Sequence, residues 1–330
     1  MDSTTRIPSF RSRYRQFGSK LAFIQYHGSP WDRVSAFHRA IYMALSMGIV
    51  DHQHESRTTN FPAIRACIFD LDGLLINSEN IITQSTNRLL EKYGRPPFTP
   101  SIRAQLMGVP DSTNSDVFHN WAKLPISREQ FARELREEMC LHFSNCTPLP
   151  GAEKLLSSLS RARSASSGDR IELALASSTK SHSYELKTSR PETKQLLSFF
   201  PSDRRVLGDD PRVRQGRGKP APDIYLLALQ ALNSAADSGG KAILPSECLV
   251  FEDSLVGVEA GRWAGMRVVW VPHPDVAVEY QARLKDVLAG RTGIEIEDDW
   301  QLGEIDDGWA ESIPNLEHLD CQKYGIVVQS

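Results

Sequence analysis

Apolar residues in this chain fall into two patterns. The runs at 66–69, 171–176, 248–251 and 266–271 are short and unbroken, the form taken by strands buried on both faces, and a briefer run at 205–207 joins them. Elsewhere apolar positions recur among polar ones at helical spacing, predicting helices over 79–93, 101–107, 111–124, 127–143, 152–159, 191–200, 223–232 and 254–264. Gly94 with Pro96-Pro97 stops the first of these, and Ser101 is a capping type of residue at the start of the second. Strands alternating with helices predict right-handed crossovers and an α/β fold, a doubly wound parallel sheet. The stretch 77–147 is helical throughout and interrupts the alternation, so it is expected to form an inserted cap.

The strand ends carry the chemistry. The first strand runs into Asp70-Leu71-Asp72-Gly73, the second into Ser177-Ser178-Thr179 and the third into Glu252-Asp253, while Lys219 closes a glycine-rich loop between the second and third. In an open parallel sheet, ligands gather beyond the carboxyl ends of the strands. Taken singly, each group has an ordinary explanation: a polar loop, a turn serine, a solvated lysine, acids at a helix N-terminus. Their common placement at strand ends points instead to one site. A carboxylate approaching a phosphate dianion is repelled unless a cation and a fixed ammonium offset the charge. Asp70, Glu252 and Asp253, with a contribution from Asp72 through its backbone carbonyl, offer the hard oxygen donors that Mg2+ prefers. Asp70 is then the expected nucleophile, and Asp72 the acid that protonates a leaving alcohol and later activates water. Ser177 would donate to a phosphoryl oxygen, and Lys219 would neutralise charge on nucleophile and phosphate.

Composition narrows the setting. The 330 residues exceed one typical domain, 40% apolar and 24% charged residues are ordinary for a globular chain, and a net charge of −3 gives no reason to expect nucleic acid. Five cysteines without Cys-x-x-Cys spacing fit a reducing, cytoplasmic compartment. Residues 1–60 differ: Arg6, Arg11, Arg13, Arg15 and Lys20 lie among serines, as in a mitochondrial transit peptide or a poorly ordered extension. The longest apolar run there, 40–50, is short of the ~20 residues needed to cross a bilayer. The expected organisation is an N-terminal extension (1–60), a core (61–76 and 148–290), a helical cap (77–147) and an acidic C-terminal extension (291–330) wrapping the surface.

The segments Asp70-Leu71-Asp72-Gly73, Ser177, Gly218-Lys219-Pro220 and Phe251-Glu252-Asp253-Ser254 together resemble the four motifs of the haloacid dehalogenase-like superfamily, of the kind with a helical cap after the first motif. Leu149-Pro150-Gly151-Ala152, Leu186-Lys187-Thr188-Ser189-Arg190 and Gly208-Asp209-Asp210-Pro211 are most similar to its pseudouridine 5′-phosphatase subfamily. The resemblance implies a Rossmann-like core and magnesium-dependent hydrolysis of a small phosphorylated metabolite by a monomer, with Asp70 as nucleophile and Asp72 as acid/base. A phosphomutase of the β-phosphoglucomutase type is the nearest rival, and an inactive binding protein a more distant one. Asn77-Ser78-Glu79 departs from the family habit of an aspartate before Thr/Ser-Glu. Lys187 and Arg190, spaced to share a helix face, are read as solvated and left out of the site.

Overall fold

The first strand, β1 (Ala66–Phe69), is buried along its whole length and sends alternate side chains into two separate apolar layers. Cys67 and Phe69 join Leu173, Leu175 and Leu249 on one face, while Ala66 and Ile68 join Ala174, Val250 and Val268 on the other. A strand covered on both faces needs an unbroken apolar run, which is why this one is legible without alternation. The computed structural model describes residues 61–106, 115–235, 241–292 and 303–328, all within the unit Thr59–Ser330. The extension expected at 1–60, Met107, the start of the helix expected at 111–124 and the acidic stretch around Glu295 and Trp300 lie outside the described residues.

Four helices follow: α1 (Ser78–Lys92), α2 (Pro100–Leu106), α3 (Asp116–Ala122) and α4 (Arg128–His142). They surround an apolar centre of their own, Leu89, Leu90, Leu106, Phe118, Phe131 and Leu135. Ser115 and Ser127 cap α3 and α4 by accepting hydrogen bonds from Phe118 N and Gln130 N.

The chain then returns to the core through α5 (Ala152–Leu159), β2 (Arg163–Ser164), β3 (Glu172–Ala176), α6 (Ser181–Lys187), α7 (Pro191–Leu197), β4 (Arg205–Val206), α8 (Asp223–Ala235), β5 (Cys248–Glu252), α9 (Leu255–Trp263), β6 (Arg267–Trp270), α10 (Pro274–Glu279) and α11 (Leu284–Leu288). The strands form a parallel sheet in the order β4-β3-β1-β5-β6, extended at the β6 edge by β7 (Ala310–Ser312). Phe69 lies level with Leu175 and Phe251, and the Phe69 and Phe251 rings stack at 4.3 Å. The register therefore brings the residues just past β1, β3 and β5 to one edge, with β1 at the point where the strand order reverses.

The C-terminal segment departs from the surface wrap expected of it. Besides β7, it supplies β8 (Ile326–Val327), which pairs antiparallel with β2. Ile313, Leu316, Tyr324 and Ile326 are buried in the same layer as Phe69. Tyr324 O accepts from Ile64 N, and the Arg267 guanidinium lies between the rings of Phe61 and Tyr324. Apolar residues spaced this widely among acids show no periodicity, so the segment's part in the core is invisible along the chain. Among the described residues no helix is long and apolar enough to cross a membrane.

Candidate active site

Asp70 follows β1 directly and its N–H donates to Phe251 O, extending the β1–β5 ladder by one bond. Its carboxylate lies level with Glu252 of β5. Lys219, 5% exposed, fills the gap: its Nζ donates to Asp70 Oδ1 at 2.5 Å and to Glu252 Oε1 at 2.5 Å. Tyr225 of α8 also donates to Glu252 Oε1, and Ser254 donates to Glu252 Oε2 from both its N–H and its hydroxyl. Glu252 is therefore held from four directions and in turn aims Lys219 at Asp70. Burial alone would discharge the lysine, but the carboxylates of Asp70 and Glu252 hold its ammonium above its ordinary range.

Asp253 completes the acids, and carboxylate oxygens of Asp70, Glu252 and Asp253 lie within 4.8 Å of one another. Burial pushes the Asp70 carboxyl up to about 7 against the pull of Lys219, and the charges of Glu252 and Asp72 add to the rise. Burial, then Glu252 and Asp70, push Asp253 the same way. Three acids facing one ammonium leave two negative charges to be offset, and the donors are all hard oxygens. That is the deficit and donor set of a divalent magnesium ion. Two glycines make the approach possible. A Cβ on Gly73, at φ +69°, would stand 2.1 Å from Asp253 Oδ2, and one on Gly257 would stand 1.9 Å from the Glu252 carboxyl carbon.

The Asp72 side chain, expected to work on the leaving alcohol rather than on the cation, stands in surroundings of its own. Its carboxylate is not among the converging acids: Oδ1 accepts from Ser78 Oγ at 2.5 Å and Lys187 Nζ at 2.6 Å, and Oδ2 from Thr179 Oγ1, with Ser177 Oγ at 3.5 Å. Burial would raise its pKa, but the Lys187 charge and these hydrogen bonds outweigh it and hold Asp72 below the usual carboxylate range. These partners favour the ionised form of a carboxyl expected both to give up a proton and to take one back. Ser177 sits fully buried just past β3, its Oγ accepting from Thr179 N at 3.1 Å.

Lys187 is the residue that sequence reasoning misplaced. It is 4% exposed, not solvated, and shares no helix with Arg190, because α6 ends at Lys187 and Arg190 caps α7, half-exposed beside Glu192. Thr179, Ser78 and Tyr225 were also missed. Only the spacing Ser177-x-Thr179 hinted at a second hydroxyl. The departure at Asn77 is accommodated at the cap hinge: Asn77 N donates to Thr147 O at 3.1 Å and Asn77 Oδ1 accepts from Thr147 N at 2.8 Å, tying the two connecting segments together. Beside this hinge a cavity of about 390 Å³ is lined by Asn77, Asn80, Ile81, Thr83, Gln84, Arg103 and Asn145.

A profile described as haloacid dehalogenase-like hydrolase matches residues 67–271, from within β1 to just past β6, and the chain belongs to that family. Within the family it is a phosphatase. A probable pseudouridine-5′-phosphatase of Saccharomyces cerevisiae is 36% identical over 267 residues, covering 80% of this chain and 98% of the yeast protein. Another from Drosophila melanogaster is 37% identical over 224 residues, covering 68% of this chain and 88% of its own. Among solved structures, a family hydrolase of Deinococcus radiodurans with bound phosphate and sodium is 27% identical, covers 69% of this chain and 96% of that one, and superimposes with a TM-score of 0.50.

Proposed function

We propose that the protein hydrolyses a small phosphate monoester, a nucleotide or sugar phosphate with pseudouridine 5′-phosphate foremost, through an aspartyl-phosphate on Asp70. The observation that carries this reading is the cluster of three buried carboxylates around one ammonium at the end of the sheet. Asp70, Glu252 and Asp253 would hold magnesium, which when bound supplies the positive charge that lets a carboxylate meet a phosphate dianion. Asp70 attacks phosphorus, the bond from phosphorus to the ester oxygen breaks, and the departing oxygen takes a proton from Asp72. Ionised Asp72 then takes a proton from water as the water oxygen attacks phosphorus. The bond to Asp70 breaks, inorganic phosphate leaves, and Asp72 carries the proton for the next leaving group. Lys219 offsets charge at Asp70 throughout, and Ser177 donates to a non-bridging oxygen.

The hinge cavity, lined mostly by amide and hydroxyl groups and adjoining in sequence Ser78, which donates to Asp72, offers neutral hydrogen-bonding partners suited to a leaving group such as a nucleoside or polyol. The test is a panel of nucleotides, pseudouridine 5′-phosphate and sugar phosphates, with and without magnesium, on the wild type and Asp70→Asn. Phosphate release that needs the metal and vanishes in Asp70→Asn is expected. Metal-independent turnover, or turnover unaltered in the variant, rejects the mechanism, and isomerised sugar phosphate without free phosphate would favour the mutase.

A further inference from the structure

We propose that Lys187 is a positioning residue for phosphoryl transfer that acts through Asp72; this rests on the reading of Asp72 as the proton-transfer group. Lys187 ends α6, and its side chain turns inward so that Nζ lies 2.6 Å from Asp72 Oδ1 and 2.9 Å from Thr179 Oγ1. Its ammonium sits over the ring of Phe143, 4.7 Å from the centroid, where the chain leaves the cap. Thr179 thus donates to one oxygen of Asp72 while accepting from the lysine that holds the other. Both carboxylate oxygens are engaged, which fixes the plane of the group as well as its position.

Stability alone is a weak reason for this lysine. Buried ion pairs are commonly replaced by apolar side chains without loss, because desolvation cancels much of their attraction. Leu196, Leu197 and Tyr184 already anchor α6 and α7 in the apolar layer. Electrostatics supply a stronger reason. Asp72 stands close enough to Asp70 for the two charges to repel. Among the described residues two lysines are buried, and they divide the two acids between them, Lys219 on Asp70 and Lys187 on Asp72. With Lys187 removed, the hydroxyls of Ser78 and Thr179 still offer hydrogen bonds, but the charge that holds Asp72 in place against its neighbours is gone.

A double-mutant cycle separates this role from a structural one. Lys187→Met, Asp72→Asn and the pair are compared on an alkyl phosphate such as glycerol phosphate, and on p-nitrophenyl phosphate, whose leaving group departs without a proton and keeps the slow variants measurable. Melting curves confirm folding, and Lys187→Gln, which keeps a donor but removes the charge, replaces Lys187→Met if that variant does not fold. On the alkyl ester, kcat is expected to fall about 100-fold, in the range lost with a general acid/base, while KM moves little. In the Asp72→Asn background the same change is expected to cost less than about threefold, since a residue acting through Asp72 has nothing left to position. Unchanged kcat, a rise confined to KM, or losses that multiply in the double variant would each overturn the proposal. Asp70→Asn run alongside keeps the readings apart: retained turnover there defeats the aspartyl-phosphate mechanism itself, whereas wild-type kcat on the alkyl ester in Asp72→Asn defeats only the role given to Asp72 and, with it, that of Lys187.

Discussion

Two carboxylates separated by a single leucine are shifted in opposite directions because burial is offset to different extents by the cations and hydrogen bonds that reach them. Asp70 shares Lys219 with Glu252, and burial raises its pKa from 3.8 to about 7, whereas Asp72 has Lys187 to itself and stays ionised. Glu79, half-buried near Asp72, is likewise raised from 4.5 to about 7, by desolvation first and then by the Asp72 charge. The consequence for stability has a definite sign. Between the unfolded and folded values the native, metal-free protein binds more protons than the unfolded chain, so these two acids make stability fall as pH rises from about 4 to about 7. Asp72 works the other way, and its contribution, present above its unfolded value, is lost only at lower pH. Magnesium competes with protons for Asp70, and its stabilisation should therefore grow with pH. Thermal melts with and without magnesium are expected to show a larger shift in melting temperature at pH 8 than at pH 5. A shift independent of pH would mean that the acid cluster does not bind the ion.

Elements position these residues through close approach. Helix α9 begins immediately beyond Glu252-Asp253 and packs its first turn against the Glu252 carboxylate, which Gly257 permits by lacking a side chain. Replacing a helical glycine by alanine ordinarily stabilises a helix by about 1 kcal/mol. Here the new methyl would overlap the carboxylate that aims Lys219. Gly257→Ala is expected to lower kcat about 100-fold, the scale of a 1 Å misplacement, in a protein that still folds. Steady-state kinetics beside circular dichroism measure this, and full activity would show that Glu252 tolerates displacement. At the hinge, Asn77 and Thr147 form the paired bonds between the connecting segments, so the residue that departs from the family habit still has a mechanical part.

Across the whole molecule, the C-terminal segment closes the core from which β1 projects. Tyr324 packs in the layer of Phe69, donates its hydroxyl to Glu311 and accepts Ile64 N–H at its backbone oxygen. Tyr324→Ala is expected to lower unfolding free energy by about 3–5 kcal/mol, as for other buried aromatics. Urea unfolding tests this, and a loss below about 1 kcal/mol would return the segment to the role of a surface wrap.

Much of this architecture was legible along the chain, for identifiable reasons. Doubly buried strands must be unbroken apolar runs, and β1, β3, β5 and β6 were found by that mark to within a residue or so at most ends. The cap helices were legible because each buries one stripe around a shared centre, and Asp70, Ser177, Glu252 and Asp253 because strand ends meet at one edge of a parallel sheet, with Lys219 read from the loop before α8. What the chain by itself determined is therefore periodic or tied to a strand end. Only the tertiary structure decided that Lys187 turns inward to Asp72, that Ser78 and Thr179 join it there, and that Tyr324 and Ile326 belong to the core. Each of these depends on which distant segment stands opposite. A lysine in a polar stretch reads as solvated until a carboxylate, 115 positions away for Lys187 and Asp72, is brought to face it.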